Sequence, residues 1–129
     1  LKAINLRYLQ VRLIPYIEHM EHALAVADAA IARAGASTIA ELLAAGIYAL
    51  YVPLPSAIYD HQRLNAEQVV RAGAGRMVLE SELTPERLSA EVRELFAGAV
   101  ADRSNVARLG ELHRRAAERL AEEIVSLAK

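Results

Sequence analysis

The chain has 129 residues, 54% of them hydrophobic and 24% charged; that balance supports an ordinary packed core and argues against disorder. The 15 basic and 16 acidic residues leave a net charge of −1, so no basic excess points to nucleic acid or an anionic membrane surface. Cysteine is absent, which excludes disulfides and thiol-ligated metal, and no apolar run reaches the roughly 18 residues of a membrane span.

The opening segment "LKAINLRYLQ" has no apolar signal core with a small-residue cleavage site. It also lacks an initiator Met, so a fragment or a processed chain is expected. Tyr8 to Ile17, rich in large and branched apolar residues, predicts a strand ending near Pro15. Glu18 to Ala27 carries Met20, Leu24 and Ala27 at helical spacing. Asp28 to Arg33 reads as a short strand with a tight turn at Gly35, then a helix closed by Gly46. Ile47 to Pro55 is almost continuously apolar and predicts a strand buried on both faces. A polar loop leads to a helix from His61, and Gly75 to Glu80 is another short strand. Thr84 as N-cap and Pro85 in the first turn start a helix that carries Leu88, Val92, Leu95 and Phe96 on one face. Asn105 to Leu127 reads as one long helix with Leu109, Leu112, Leu120, Ile124 and Leu127 in a stripe.

Strand and helix alternate about four times. This predicts an α/β fold, a Rossmann-like parallel sheet with helices on both faces and right-handed crossovers. Ligands in such sheets bind beyond the carboxyl ends of the strands, where two loops fall: Ala34 to Ser37 and Pro53 to Asp60.

The first loop passes through Gly35, Ala36, Ser37 and Thr38 into a helix. Free N–H groups of a first helical turn, with the helix dipole, favour an anion such as phosphate. No lysine follows and there is no GxGxxG, so no nucleotide-loop signature is complete. A second reading competes: Thr38-Ile39-Ala40-Glu41 fits a T-x-x-E capping box, in which the two side chains satisfy each other's backbone N–H groups. In the second loop Asp60 suits an N-cap, while Gln62 and Asn65, three apart, share a helix face. Their amides both donate and accept, which suits sugar hydroxyls; a capped helix with a polar face accounts for them equally. His61 has no second His or Cys at metal spacing. His19 and His22 are three apart, but no third ligand is evident from the sequence. No Ser/His/Asp order or carboxylate pair stands out.

Taken together, "ADAAIARAGASTIAELLAAG", "VPLPSAIYDHQRLNA" and "AGAGRMVLESELTPERL" resemble the C-terminal domain of the MurG family. These are bacterial transferases that add N-acetylglucosamine to the lipid-linked muramyl-pentapeptide precursor of peptidoglycan, on the two-domain GT-B fold. "PYIEHM" resembles the family's F-I-x-D-M segment, and the likeness runs over Leu13 to Lys129. The resemblance implies a partial GT-B C-terminal domain over residues 1–129 that binds UDP-N-acetylglucosamine. By it the Ile17 backbone meets the uracil edge, Gly35 to Thr38 receive the diphosphate, and Glu41 holds the ribose hydroxyls. His61, Gln62 and Asn65 read the glucosamine. Glu41 could cap the helix in the empty cleft and turn to the ribose when UDP arrives. The implied chemistry is an inverting displacement by an acceptor hydroxyl, with no metal and no cofactor.

There are departures. Residue 19 is His where the family motif usually has Asp, and Tyr48 replaces a proline. Nothing in Leu1 to Arg12 resembles the acceptor-binding N-terminal domain or the glycine-rich first strand of the C-terminal domain. No catalytic residue is therefore expected in this chain, which alone should not turn over substrate. Its incomplete sheet would leave apolar surface that another chain or copy could cover. The family resemblance also implies a cytoplasmic enzyme, peripheral at the inner face of the cell membrane, whose lipid-linked acceptor meets the other domain. A non-catalytic nucleotide-sugar-binding or assembly module, or a transferase for another UDP-sugar, is the alternative.

Overall fold

The computed structural model describes residues 3–6, 9–55, 60–101 and 103–127. Tyr8 and residues 56–59 of the expected polar loop lie outside the described residues. The centre of the fold is the apolar run after Gly46. Strand β4 (Ala49–Tyr51) lies between β3 (Ala30–Ala32) and β5 (Gly75–Met77), parallel to both. Its three residues are wholly buried although successive side chains point to opposite faces, so both faces of the sheet are covered here, as the continuous apolar run predicts. Burying a side chain such as Leu50 contributes about 1.5–3 kcal/mol.

Helix α2 (Ala36–Ala44) connects β3 to β4, and α3 (His61–Arg71) connects β4 to β5. They touch each other, as two same-handed crossovers in one direction must. Helix α4 (Pro85–Ala101) packs on β4 and β5, and α5 (Arg103–Arg114) packs on α2. The α2–α5 approach is close: a Cβ on Gly110 would press into the Leu43 carbonyl and lie 3.0 Å from its carbon. Arg114 Nη1 donates to the Ala44 carbonyl at 2.6 Å, satisfying one of the orphan acceptors at the α2 C-terminus. Gly46 follows with φ +77°, the left-handed conformation that ends helices. Thr84 caps α4 as expected, its Oγ1 accepting from the Arg87 N–H at 3.1 Å.

Two polar features lie inside. Glu91 of α4 is buried and meets Arg76 Nε and Arg87 Nη2, both at 2.8 Å; the hydrogen bond to Glu91 holds the Arg76 guanidinium further toward its charged form. The Tyr51 hydroxyl is buried with no partner among the described residues. Burial pushes its phenol up from 10.0 to about 12, because the charged form is the one that loses most by leaving water.

Four expectations are corrected. The strand expected over Tyr8 to Ile17 is confined to β2 (Leu9–Arg12), which pairs antiparallel with β1 (Ala3–Leu6) in a separate two-stranded sheet. Residues 13–19 are irregular and exposed, around a proline that cannot donate to a ladder. The helix after them shrinks to α1 (Met20–Ala25), and the parallel sheet has three strands, with Ile31 half exposed on β3. Finally, the long terminal helix breaks at Arg115 into α5 and α6 (Ala116–Leu127). No glycine or proline stands there; the break falls just past the Arg114 contact to α2, and Leu120, Ile124 and Leu127 of the expected stripe are exposed.

Candidate functional site

The two loops at the carboxyl edge of the sheet meet. Gln62, in the first turn of α3, turns its Oε1 between them and accepts the Ala34 N–H at 3.2 Å and the Leu54 N–H at 3.0 Å. Asn65, one turn on, donates from Nδ2 to the Ala34 carbonyl at 3.4 Å. The backbone of Ala34 is thus clamped on both its polar groups by amides of α3. Gln62 Nε2 makes no bond among the described residues.

Next to this clamp α2 begins. Its N-cap is Gly35, not Thr38, and no side chain caps it. This overturns the capping box. Thr38 sits inside the first turn, where its N–H belongs to the orphan set and its side chain is past the cap position. Glu41 is exposed on the helix, with no side-chain partner among the described residues. The first intrahelical donor is the Ile39 N–H, to the Gly35 carbonyl at 3.0 Å. The N–H groups of Ala36, Ser37 and Thr38 therefore find no acceptor among the described residues, at the positive end of a nine-residue helix. An anion there would supply what the capping box does not.

Gly35 adds a second point. Its φ of −64° and ψ of 147° suit any residue, and a Cβ would meet only Thr38 Oγ1, at 3.7 Å. The fold does not need glycine here. What a bare backbone leaves at this turn is room for close approach.

Asp60 occupies the N-cap position of α3 but in the left-handed conformation, φ 57°, with no capping bond. Its carboxylate instead pairs with Arg63, which also reaches Glu67 Oε1 at 2.6 Å; the bond to Asp60 raises the Arg63 pKa. His61 is exposed at the first position of α3. Ile17 lies in the exposed stretch before α1, and none of the bonds that join the two loops reaches it.

Sequence reasoning missed Arg33. It stands at the end of β3 and donates to the Val52 and Pro53 carbonyls at 3.2 and 3.3 Å, and it pairs with Glu80 beyond β5. One guanidinium thus spans the exits of all three parallel strands, two residues before the Gly35 turn. The signal available was a lone cation between an apolar strand and a glycine.

A cavity of about 280 Å³ lies elsewhere: it runs between α2, α3 and α5 and shares only Ala36 and Asn65 with this edge. Ile39, Leu43, Val69 and Leu109 form its apolar wall, with Gln68 and His113 among its polar lining.

Comparisons with known proteins bear on the family and the fold. The model of the glycosyltransferase family 28 C-terminal domain matches residues 2–121. A UDP-N-acetylglucosamine--N-acetylmuramyl-(pentapeptide) pyrophosphoryl-undecaprenol N-acetylglucosamine transferase of Nitrosococcus oceani is 48% identical over 120 residues, 92% of this chain and 33% of the relative. The transferase of the same name from Corynebacterium jeikeium is 42% identical over 89% of this chain and 31% of its own length. Among solved structures, MurG of Acinetobacter baumannii superposes with a TM-score of 0.61 at 35% identity, covering 81% of this chain and 33% of that one. A glycotransferase of kitacinnamycin gives 0.59 at 33% identity, over 78% and 26%. The chain spans about a third of the length of the curated relatives it matches. By its family match, its relatives and its fold, the chain belongs to the glycosyltransferase family 28 C-terminal domains, of the GT-B glycosyltransferases that include MurG.

Proposed function

We propose that this chain is the donor-binding part of an inverting N-acetylglucosaminyltransferase of peptidoglycan synthesis, one UDP-sugar-binding domain over residues 1–129 that is incomplete by itself. The observation that carries the reading is the clamped sheet edge: Gln62 and Asn65 fasten the Gly35 turn to α3, beside three unmet N–H groups at the start of α2. In this reading Gly35, Ala36, Ser37 and Thr38 take the diphosphate of UDP-N-acetylglucosamine, and Glu41 takes the ribose hydroxyls. His61, Asn65 and the Nε2 of Gln62 face the sugar, and the Ile17 backbone meets the base. Backbone donors and the helix dipole stabilise the departing UDP, so the reaction needs no metal. The acceptor, a lipid-linked muramyl peptide by the names of the relatives, would meet a separate domain. The assembled protein would work as a cytoplasmic enzyme, peripheral at the inner face of the bacterial membrane. No helix among the described residues is long and apolar enough to cross a membrane.

Glu41 gives the cleanest test. Because it forms no capping box, Glu41→Ala should leave stability nearly unchanged while it weakens UDP, measured by calorimetric titration, by roughly tenfold, the value of one hydrogen bond to a charged group. Unchanged affinity would remove Glu41 from the ribose role. Gln62→Glu keeps the acceptor that Ala34 and Leu54 require and removes the amide donor. It should cost UDP-N-acetylglucosamine more than UDP, and equal losses would argue against a sugar contact.

A further inference from the structure

We infer that His19, Glu21 and His22 form a surface site for a divalent transition-metal ion of the zinc class, apart from the sheet edge. The sequence shows two histidines three apart; the structure supplies the third ligand. One ligand atom from each of the three residues lies within 4.8 Å of the others. His19 Nδ1 and Glu21 Oε1 are 3.2 Å apart, and the two imidazole rings are 5.2 Å between centroids.

These distances can be set against a tetrahedral ion. Zinc bonds of about 2.0–2.2 Å place neighbouring ligand atoms about 3.3–3.6 Å from each other. The His19–Glu21 edge is already close to that length. The remaining edges must close by no more than about 1.5 Å, which rotation of exposed side chains provides without backbone movement. The backbone below is fixed: the His22 N–H donates to the His19 carbonyl at 3.1 Å and the Ala23 N–H at 3.4 Å. That turn holds the i,i+3 spacing of the two rings before any ion arrives.

The donor set selects the ion. Two imidazoles and a carboxylate are a common three-ligand zinc set that leaves a fourth position to water. Nitrogen donors favour zinc, cobalt, nickel or copper over calcium and magnesium, which prefer all-oxygen shells. Both His19 and Glu21 are about two-thirds exposed (67% and 69%), so the ion has a direct path from solvent. Since His19 closes the exposed stretch 13–19 and His22 lies within α1, one ion would fasten that stretch to the helix.

The test is calorimetric titration of ZnCl2 into the 129-residue chain, with Co2+ absorption as a second readout. One ion per chain is expected, with the visible bands of a tetrahedral cobalt site. His19→Ala and His22→Ala should each weaken Zn2+ by about tenfold or more, while Glu21→Gln weakens it less. His113→Ala should bind as the unaltered chain does. Independently of any substitution, Co2+ added to the unaltered chain should broaden the imidazole resonances of His19 and His22 before those of His61 and His113. The absence of binding, binding that survives the His19→Ala/His22→Ala double substitution, or broadening led by His61 or His113 would each overturn the assignment.

Discussion

Gly35→Ala separates a ligand-approach role from a folding role at one position. On the stability side two small effects oppose each other. Alanine is a poorer N-cap than glycine, which costs about 0.5–1 kcal/mol. It also removes backbone freedom from the unfolded chain, which contributes about 0.4–1 kcal/mol in the opposite direction. The new methyl group meets only Thr38 Oγ1, at the ordinary contact distance of 3.7 Å, and φ of −64° carries no strain. The net change should lie within about 0.5 kcal/mol of zero. On the binding side, under the proposed function, the methyl would crowd the approach of a diphosphate to the N–H groups of Ala36 and Ser37. Losing one hydrogen bond to a charged group costs about 1.5–3 kcal/mol, or about 10- to 150-fold in affinity. Urea unfolding followed by circular dichroism measures the first quantity, and titration with UDP and UDP-N-acetylglucosamine the second. Affinity within about threefold of the parent, with stability unchanged, would refute the close approach. A loss of more than about 2 kcal/mol in stability would refute the spare room read from the structure.

Tyr51→Phe should raise stability at neutral pH by about 1 kcal/mol, because it deletes a buried hydroxyl that has no partner; chemical denaturation measures this. The same group sets an alkaline limit. Its pKa is raised on folding from 10.0 to about 12, so its contribution is complete below pH 10 and is lost as pH rises toward 12. The loss is roughly 2–3 kcal/mol, and Tyr51→Phe should flatten that part of the stability profile. Gly110→Ala should cost about 1–3 kcal/mol, because its methyl group meets the Leu43 backbone rather than a movable side chain; a lower Tm would report it. Thr84→Ala should cost about 1 kcal/mol through loss of the α4 cap, readable in the same melts.

The legible parts of the sequence were those whose cause is local. The apolar run around Leu50 announced a strand buried on both faces, since alternate side chains of a strand point to opposite faces and all of them here are apolar. Gly46 and Thr84 announced a helix end and a helix start through conformations and bonds that span only a few residues. Three short motifs in one order sufficed for the family. The T-x-x-E pattern at Thr38 misled because it is equally local but ambiguous: α2 begins two residues before Thr38, with Gly35 as its cap. The strand over Tyr8 to Ile17 and the unbroken terminal helix failed for a different reason. Apolar content and periodicity describe what a segment could form, while the neighbours available to cover it decide how much of it forms.

By itself, then, the sequence determined the alternation of strands and helices from β3 to α4, a strand buried on both faces and the two loops that carry the polar residues of the edge. It did so because periodicity, caps and glycine conformations act over a single turn or strand. Only the tertiary structure decided that Gln62 turns its carbonyl oxygen toward Ala34 and Leu54, and that Arg33 spans three strand exits to reach Glu80. It also decided that the N–H groups at the start of α2 stay unmet. Each of these contacts joins residues far apart in the chain or depends on which residue happens to cap a helix, and such partners are chosen by packing rather than by spacing.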